Sequence, residues 1–316
     1  MGVGMVHWLI GRGALAASTL LGVATVVFVL LRVVGDPLSG LVPPGSAPAD
    51  VAALRQAYGL DRPLPEQYAA FLADAARGEF GESWRQGRPA LAATLERLPA
   101  TLALVGSASL LSVGGGILLG LGAGANVGGW LDHGTRLVAL GGQALPAFWL
   151  GTMLILLFAV RLHWLPASGF DGPASVMLPA ITLAAFPLAT VARLVRASTR
   201  QVLAADYVRT ARGKGLAEFA LLRRHVLGNA LQPTLAFAGF QAGFLLGGAA
   251  VVEAVFAYPG LGLLALNAVA DRDLPVVQAF VAVVATLLVG INLLVDLAAR
   301  SLDPRLRLDP GIGGPS

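Results

Sequence analysis

The residues that could do chemistry are few and scattered. Four histidines, His7, His133, His163 and His225, stand far apart, and the chain has no cysteine. That excludes disulfides and thiol chemistry and leaves no spacing suited to a metal ion. Gly213-Lys214-Gly215 lacks the Gly-x4-Gly-Lys-(Ser/Thr) spacing with which a backbone cradles phosphate. No nucleophile is paired with a base. The sequence therefore predicts no catalytic residue, no metal site and no cofactor bound by this chain. What remains are polar groups in apolar surroundings, which are functional candidates because burying them in hydrocarbon is costly. Glu253, just before Tyr258-Pro259-Gly260, is read as part of an outer gate or as a helix-end carboxylate. Asp296 precedes Arg300 by four residues, the spacing of a helical ion pair. Gln143, Gln241 and Asn267 are further pathway candidates. Pro146, followed by Phe148, and Pro187 free backbone carbonyls that line a path or merely kink a helix.

Such residues need elements to hold them, and composition says where those elements lie. Hydrophobic residues make up 56% of the chain and charged residues 13%, with a mean hydropathy of +0.74. A water-soluble domain carries about a quarter charged residues, so this surface faces lipid. Six stretches approach the roughly 20 apolar residues that cross a bilayer: 14–34, 98–125, 137–160, 176–192, 230–252 and 276–295. The fourth is shortest and carries Pro179 and Pro187. Helix is the economical reading, because every backbone polar group must be satisfied within its segment. The net charge of +4 comes without a basic tract interleaved with aromatics, so no nucleic-acid partner is expected.

Arginine placement sets the orientation. Residues 193–229 hold Arg193, Arg196, Arg200, Arg209, Arg212, Lys214, Arg223 and Arg224 against Asp206 and Glu218, and Arg300, Arg305 and Arg307 follow in the tail. In the loop 35–97, eight acids outnumber six arginines. The positive-inside rule places both termini and the 193–229 loop in the cytoplasm. The first apolar stretch is read as an uncleaved helix rather than a signal peptide, because its uncharged run is long and begins only after Arg12.

This gives an N-terminal segment and first helix over 1–34 and an extracytoplasmic loop over 35–97. A five-helix core follows over 98–302, and the tail 303–316 is expected to end in disorder. The outer loop has helical spacing on both sides of the Asp61-Arg62-Pro63 turn. Two glycine rows, Gly116/Gly120/Gly124 and Gly239/Gly243/Gly247, mark smooth helix faces for close backbone approach, within the chain or at a subunit interface.

The most informative stretch is residues 205–233, ADYVRTARGKGLAEFALLRRHVLGNALQP. It reads as helix, glycine, helix, with Tyr207, Val208 and Ala211 on one face and a second apolar stripe from Leu216. A docking knob for a cytoplasmic protein and an interfacial helix held by anionic lipid both suit that pattern.

This stretch resembles the cytoplasmic coupling loop of ABC-importer permeases, in the form of the dipeptide, oligopeptide and nickel branch. Asp206 through Leu216 follows the branch pattern Asp-Tyr-(Ile/Val)-Arg-Thr-Ala-Arg-x-Lys-Gly-Leu, and His225 and Asn229-Ala230-Leu231 with Pro233 continue it. The generic Glu-Ala-Ala is replaced by Arg209-Thr210-Ala211, as in that branch. Gly35-Asp36-Pro37, Tyr58 through Leu64, Gly78-Glu79-Phe80-Gly81, Pro146-x-Phe148-Trp149-Leu150-Gly151 and Leu165 through Gly169 also fit in order. So do Phe256-x-Tyr258-Pro259-Gly260-Leu261-Gly262, Arg272-Asp273-x-Pro275 and Asn292 through Asp296.

The resemblance implies an all-α polytopic fold of six transmembrane helices, of the ABC-importer (type I) permease kind, in the bacterial inner membrane. It further implies a non-catalytic subunit that forms half of a pore with a second homologous permease. Two cytoplasmic ATPases would use ATP and Mg, and an extracytoplasmic solute-binding protein would deliver a peptide or related solute. Asp206, Tyr207, Arg209, Thr210, Ala211, Arg212, Lys214, Gly215 and Leu216 would form the ATPase-coupling segment, with Ala211 small enough for close docking and Gly215 permitting the turn. An ion-coupled secondary transporter would normally show paired midplane acids or broken helices in inverted repeats. A receptor or scaffold is the other alternative reading.

Overall fold

The computed structural model describes residues 2–33, 42, 47–57 and 59–302; the Gly35-Asp36-Pro37 motif, Tyr58 and the tail from 303 lie outside them. The described residues are helical apart from turns and one isolated bridge between Glu82 and Pro89. They divide into two compact units, Met1–Pro99 with Leu264–Ser316, and Ala100–Leu263.

In the first unit a long apolar helix, α1 (Gly2–Val33), packs on α14 (Leu274–Leu302) and on α3 (Leu64–Arg77), which follows the short α2 (Pro48–Ala57). α3 starts behind Pro63 and stops at Gly78, whose φ of +77° is the left-handed conformation that ends a helix cheaply only at glycine. Tyr68 of α3 shares a 2.6 Å hydrogen bond with Thr25 and meets Phe28 edge-on at 5.1 Å. Asp296 is bridged by Arg12 of α1 at 2.7 Å. Sequence spacing had pointed to Arg300, whose side chain lies outside the described residues. A helix-helix ion pair thus ties the two ends of the sequence, a connection that i,i+4 reasoning is blind to.

The outer-loop turn at 82–89 is pinned to the corner between α13 (Leu261–Ala270) and α14. Ser83 donates to Asp273 at 2.5 Å, the Trp84 N–H donates to the same carboxylate at 3.2 Å, and Arg85 pairs with Asp271 at 3.2 Å. Ala90, Leu264, Ala268, Val276 and Ala279 form the buried cluster beneath it.

The second unit is built around α8 (Pro173–Leu203), 31 residues long. α4 (Ala90–Leu110) leads through a π-helical turn, Leu111–Gly115, into α5 (Gly116–Ala125). The first glycine row faces α8. A Cβ on Gly116 would stand 2.6 Å from Val191, on Gly120 2.6 Å from Val195 and on Gly124 2.6 Å from Thr199. No such approach is possible for a residue with a side chain, so the row fits two helices together within this chain. The second row behaves differently. Gly247 has nothing within 4 Å of a built Cβ, whereas its neighbour Gly248 meets Leu183 at 3.3 Å. The Gly239 side lies outside the described residues.

Two boundaries differ from the sequence reading. The third predicted span is broken: α6 (Trp130–Ala144) and α7 (Ala147–Leu154, prolonged by a π-helical stretch Ile155–Arg161) meet at a bend of 114°. Pro146, which cannot continue α6, sits at the start of α7 with ψ 139°. The fourth span does not end at Ala192 but runs on as helix to Leu203. Arg193, Arg196 and Arg200 keep one face polar there, while Val195, Ser198 and Thr199 stay buried on the other. Pro187, buried in the middle of α8, leaves the helix unbroken.

Among the described residues four helices are long and apolar enough to cross a membrane, or five if the bent pair counts as one span. α12 (Gln232–Val255) coincides with the fifth predicted span, and its part Gly243–Val255 is apolar. Large side chains such as Leu110, Leu118 and Leu137 are more than 70% exposed, which suits contact with lipid or with another membrane subunit.

Candidate functional site

After α8 the chain turns at Ala204–Ala205 into α9 (Asp206–Gly213), then α10 (Glu218–Leu221), a π-helical stretch Leu222–Val226, and α11 (Leu227–Ala230). Asp206 in the first turn and Arg212 in the last complement the helix dipole. The helix is closed by two backbone bonds, Gly215 N–H to Arg212 O at 3.0 Å and Leu216 N–H to Ala211 O at 3.4 Å. Between them Gly215 takes φ +81°. This is the Schellman arrangement, and it explains why glycine stands between Lys214 and Leu216.

The face of α9 turned into the protein is Val208 and Ala211, packed with Leu221, Val226 and Ala230. Ala211 is buried here, and its small size suits the packing under α9. The outward face carries Tyr207, Arg209, Thr210, Arg212 and Lys214, all exposed. Arg209 leans on Asp206 at 3.7 Å, and Asn229 donates to the Tyr207 hydroxyl at 3.3 Å. The helical knob thus has a basic, aromatic-tipped outer face and a core of its own.

The gate candidates gather in one buried knot. α12 ends with Tyr258 N–H bonded to Glu253 O at 2.8 Å and Ala257 in the left-handed region at φ 44°. The fully buried Glu253 carboxylate accepts from Thr101 at 2.7 Å and from the Leu263 N–H at 2.9 Å. Thr101 in turn accepts from the Leu261 N–H at 2.8 Å. The first N–H groups of α13 have no intrahelical acceptor, so Glu253 and Thr101 cap them and give the carboxylate its donors. Tyr258 donates to Ala100 O at 3.0 Å and stacks edge-on against Phe170. Gly260 lies so close to the Glu253 carboxylate that a Cβ there has no room. Pro259 completes the turn. The knot is a structural brace in which every polar group named has a partner.

The other candidates are not brought together with it. Gln241 is buried in α12 and donates to Ser112 of the π-helical turn, which follows the end of α4. Gln143 on α6 donates to Thr190 at 3.4 Å. Phe148 is exposed on α7, and Asn267 is exposed on α13.

A further cluster escaped sequence reasoning. Asp132, fully buried in the first turn of α6, takes Arg196 of α8 with Nε at 2.6 Å and Nη2 at 3.2 Å. It also takes Arg136 Nη2 at 2.6 Å and the Gly128 N–H at 2.9 Å. With both oxygens so occupied it remains a carboxylate. The one local signal in the sequence is the Asp132–Arg136 spacing of four, which suits a helical ion pair. Its long-range partner Arg196 had been counted only as loop charge.

Long apolar helices, a glycine-fitted interface between α5 and α8 and a helical knob that follows the 31-residue α8 define a multi-pass membrane component. The chain belongs to the family described as the binding-protein-dependent transport system inner membrane component. That family matches over residues 116–308, and its N-terminal companion over residues 5–105. The protein is thus a multi-pass inner-membrane permease subunit of an ABC importer, and works with other components of such a transporter. It is similar to a Brucella abortus permease protein named for a peptide transport system, 37% identical and covering 96% of this chain and 100% of that protein. It is also 36% identical to the di/tripeptide transport system permease protein of Pseudomonas aeruginosa, covering 96% of this chain and 99% of that protein. Its fold matches a chain of the MetNI methionine ABC transporter in an inward-facing form, with a TM-score of 0.54 and 17% identity. That match covers 66% of this chain and 95% of the other.

Proposed function

We propose that this chain is one of two homologous permeases of an ATP-driven importer for peptides or related small solutes, with six spans and both termini in the cytoplasm. An extracytoplasmic binding protein delivers the solute, and two cytoplasmic ATPases use ATP and Mg. This chain itself catalyses nothing and binds no cofactor. In this reading residues 35–97 form the extracytoplasmic loop and residues 98–302 the permease core. Support for the peptide class comes from the names of the relatives, which cover almost all of this chain.

The observation that carries coupling is the outward face of α9. Tyr207, Arg209, Thr210, Arg212 and Lys214 stand exposed on a short helix whose inner face is anchored at Val208 and Ala211. Such a knob transmits a push because its own core holds it to α8. It fits a groove on an ATPase, with acids opposite its arginines. Closure of the ATPase pair then switches the spans between inward-open and outward-open arrangements as rigid bodies.

Co-purification from the native membrane tests this, with identification of bound chains and a vanadate-sensitive ATPase assay. A second permease and two ATPases, stimulated by a binding protein, are the expected result. Recovery of the chain alone, even after cross-linking near Gly215, would overturn it.

A further inference from the structure

We propose that the arginine-lined cavity between α6 and α8 binds the phosphate of an anionic phospholipid of the cytoplasmic leaflet; the leaflet rests on the orientation proposed above. The cavity has a volume of about 590 Å³ and is lined by Arg136, Gln143 and Leu140 of α6 and by Arg193, Arg196 and Arg200 of α8. Its charges are unbalanced. Asp132 is taken up by Arg196 and Arg136. Among the described residues Arg193 and Arg200 have no carboxylate within ion-pair distance.

Arg193, Arg196 and Arg200 recur at three and four residues along one helix, so their guanidinium groups share a face. Like charges on one face repel, and the repulsion grows as water is displaced by apolar surroundings. A bound anion relieves it. Asp132 cannot, since it is buried behind Arg196 and its oxygens are filled. Arginine forks suit phosphate oxygens bidentately.

The surroundings favour a lipid over a free anion. Leu140 lines the cavity, and with Leu137 it is about two-thirds or more exposed. Guanidinium groups and exposed apolar side chains therefore adjoin, matching a molecule with a phosphate at one end and hydrocarbon at the other. Basic pockets between transmembrane helices on the cytoplasmic side take lipid headgroups in this way.

The test uses the intact importer, stripped of lipid in mild detergent and followed by native mass spectrometry. It is titrated with phosphatidylglycerol, with phosphatidylcholine, or with inorganic phosphate as competitor. Wild type should retain phosphatidylglycerol over phosphatidylcholine, and millimolar phosphate should not displace it. The double variant Arg193→Gln/Arg200→Gln should lose about thirtyfold in phosphatidylglycerol affinity, since each of the two basic side chains near a membrane contributes about 1 kcal/mol. It leaves the Asp132 pairs intact, so the complex should still assemble. Should it fail to assemble, Arg193→Lys/Arg200→Lys keeps the charge and should bind between the two. Equal retention of both lipids, unchanged affinity in either variant, or displacement by phosphate would overturn the site. Labelling of Arg200→Cys with an impermeant maleimide in sealed vesicles tests orientation separately: access from outside would overturn the leaflet while leaving the lipid-affinity result to stand or fall by itself.

Discussion

Thr101 donates its hydroxyl to Glu253 at 2.7 Å, joining residues separated by 152 positions in the sequence. The same hydroxyl accepts from Leu261, and the same carboxylate accepts from Leu263, so two side chains hold the start of α13. A buried carboxylate near a helix end is tolerable only with such donors. Thr101→Val removes one donor and one acceptor while keeping the shape. It should cost about 1–3 kcal/mol, read as a lower unfolding midpoint of the solubilised protein. A wild-type midpoint would show that the brace is dispensable.

The Asp132 cluster predicts an asymmetry. Arg196 is 19% exposed and takes the aspartate with two nitrogens at 3.2 Å or less, whereas Arg136 is 54% exposed. Arg196→Gln should cost about 3 kcal/mol, because it removes the more enclosed partner of a buried charge. Arg136→Gln should cost about 1 kcal/mol or less, because that group is open to solvent. Equal losses in thermal unfolding would refute this ordering.

At the α5–α8 interface, Gly120→Val would place side-chain atoms inside Val195 and the Ala192 carbonyl. Overpacking of this kind costs about 1–3 kcal/mol or more. Gly134→Ala, on α6 with open space around a built Cβ, should instead be neutral or stabilise by up to about 1 kcal/mol. Comparing folded yields by fluorescence-detected size exclusion separates the two.

Gly215 has nothing within 4 Å of a built Cβ, so its constraint is the φ of +81° and not space. Left-handed backbone costs about 1–2 kcal/mol for most residues and less for asparagine. Gly215→Val should therefore uncouple ATP hydrolysis from transport while membrane insertion is unaffected, and Gly215→Asn should retain most coupling. Transport assays in vesicles with matched protein levels decide it; full transport by the valine variant would remove the role assigned to this turn.

How far these features could be read from the sequence follows from the range of the forces involved. The turn at Gly215 and the close-packing glycine row 116/120/124 were legible because each depends on residue type and local spacing, whereas the helix that the row meets was not. The bend at Pro146 was legible as a site but not as an angle, since proline forbids one hydrogen bond without choosing a direction. The extension of α8 past Ala192 was missed because arginine ends a hydropathy window without ending a helix. Arg12–Asp296, Ser83–Asp273 and Asp132–Arg196 were illegible for another reason: each pairs residues that only tertiary folding brings within reach. Ala211 shows the same limit on a smaller scale, because periodicity gives a face and not what lies against it.

The unbroken course of α8 has one more consequence. At 1.5 Å per residue its 31 residues measure about 46 Å. It is clamped along α5 by the glycine row and is joined to α9 by the short turn at Ala204–Ala205. It can therefore act as a lever with its fulcrum at that clamp. A tilt of about ten degrees about Val195, the middle of that clamp, moves the knob end by about 2 Å and the far end by about 6 Å. A small displacement of the knob thus need not be relayed through a chain of loops, because a single stiff rod carries it from one end of the helix to the other.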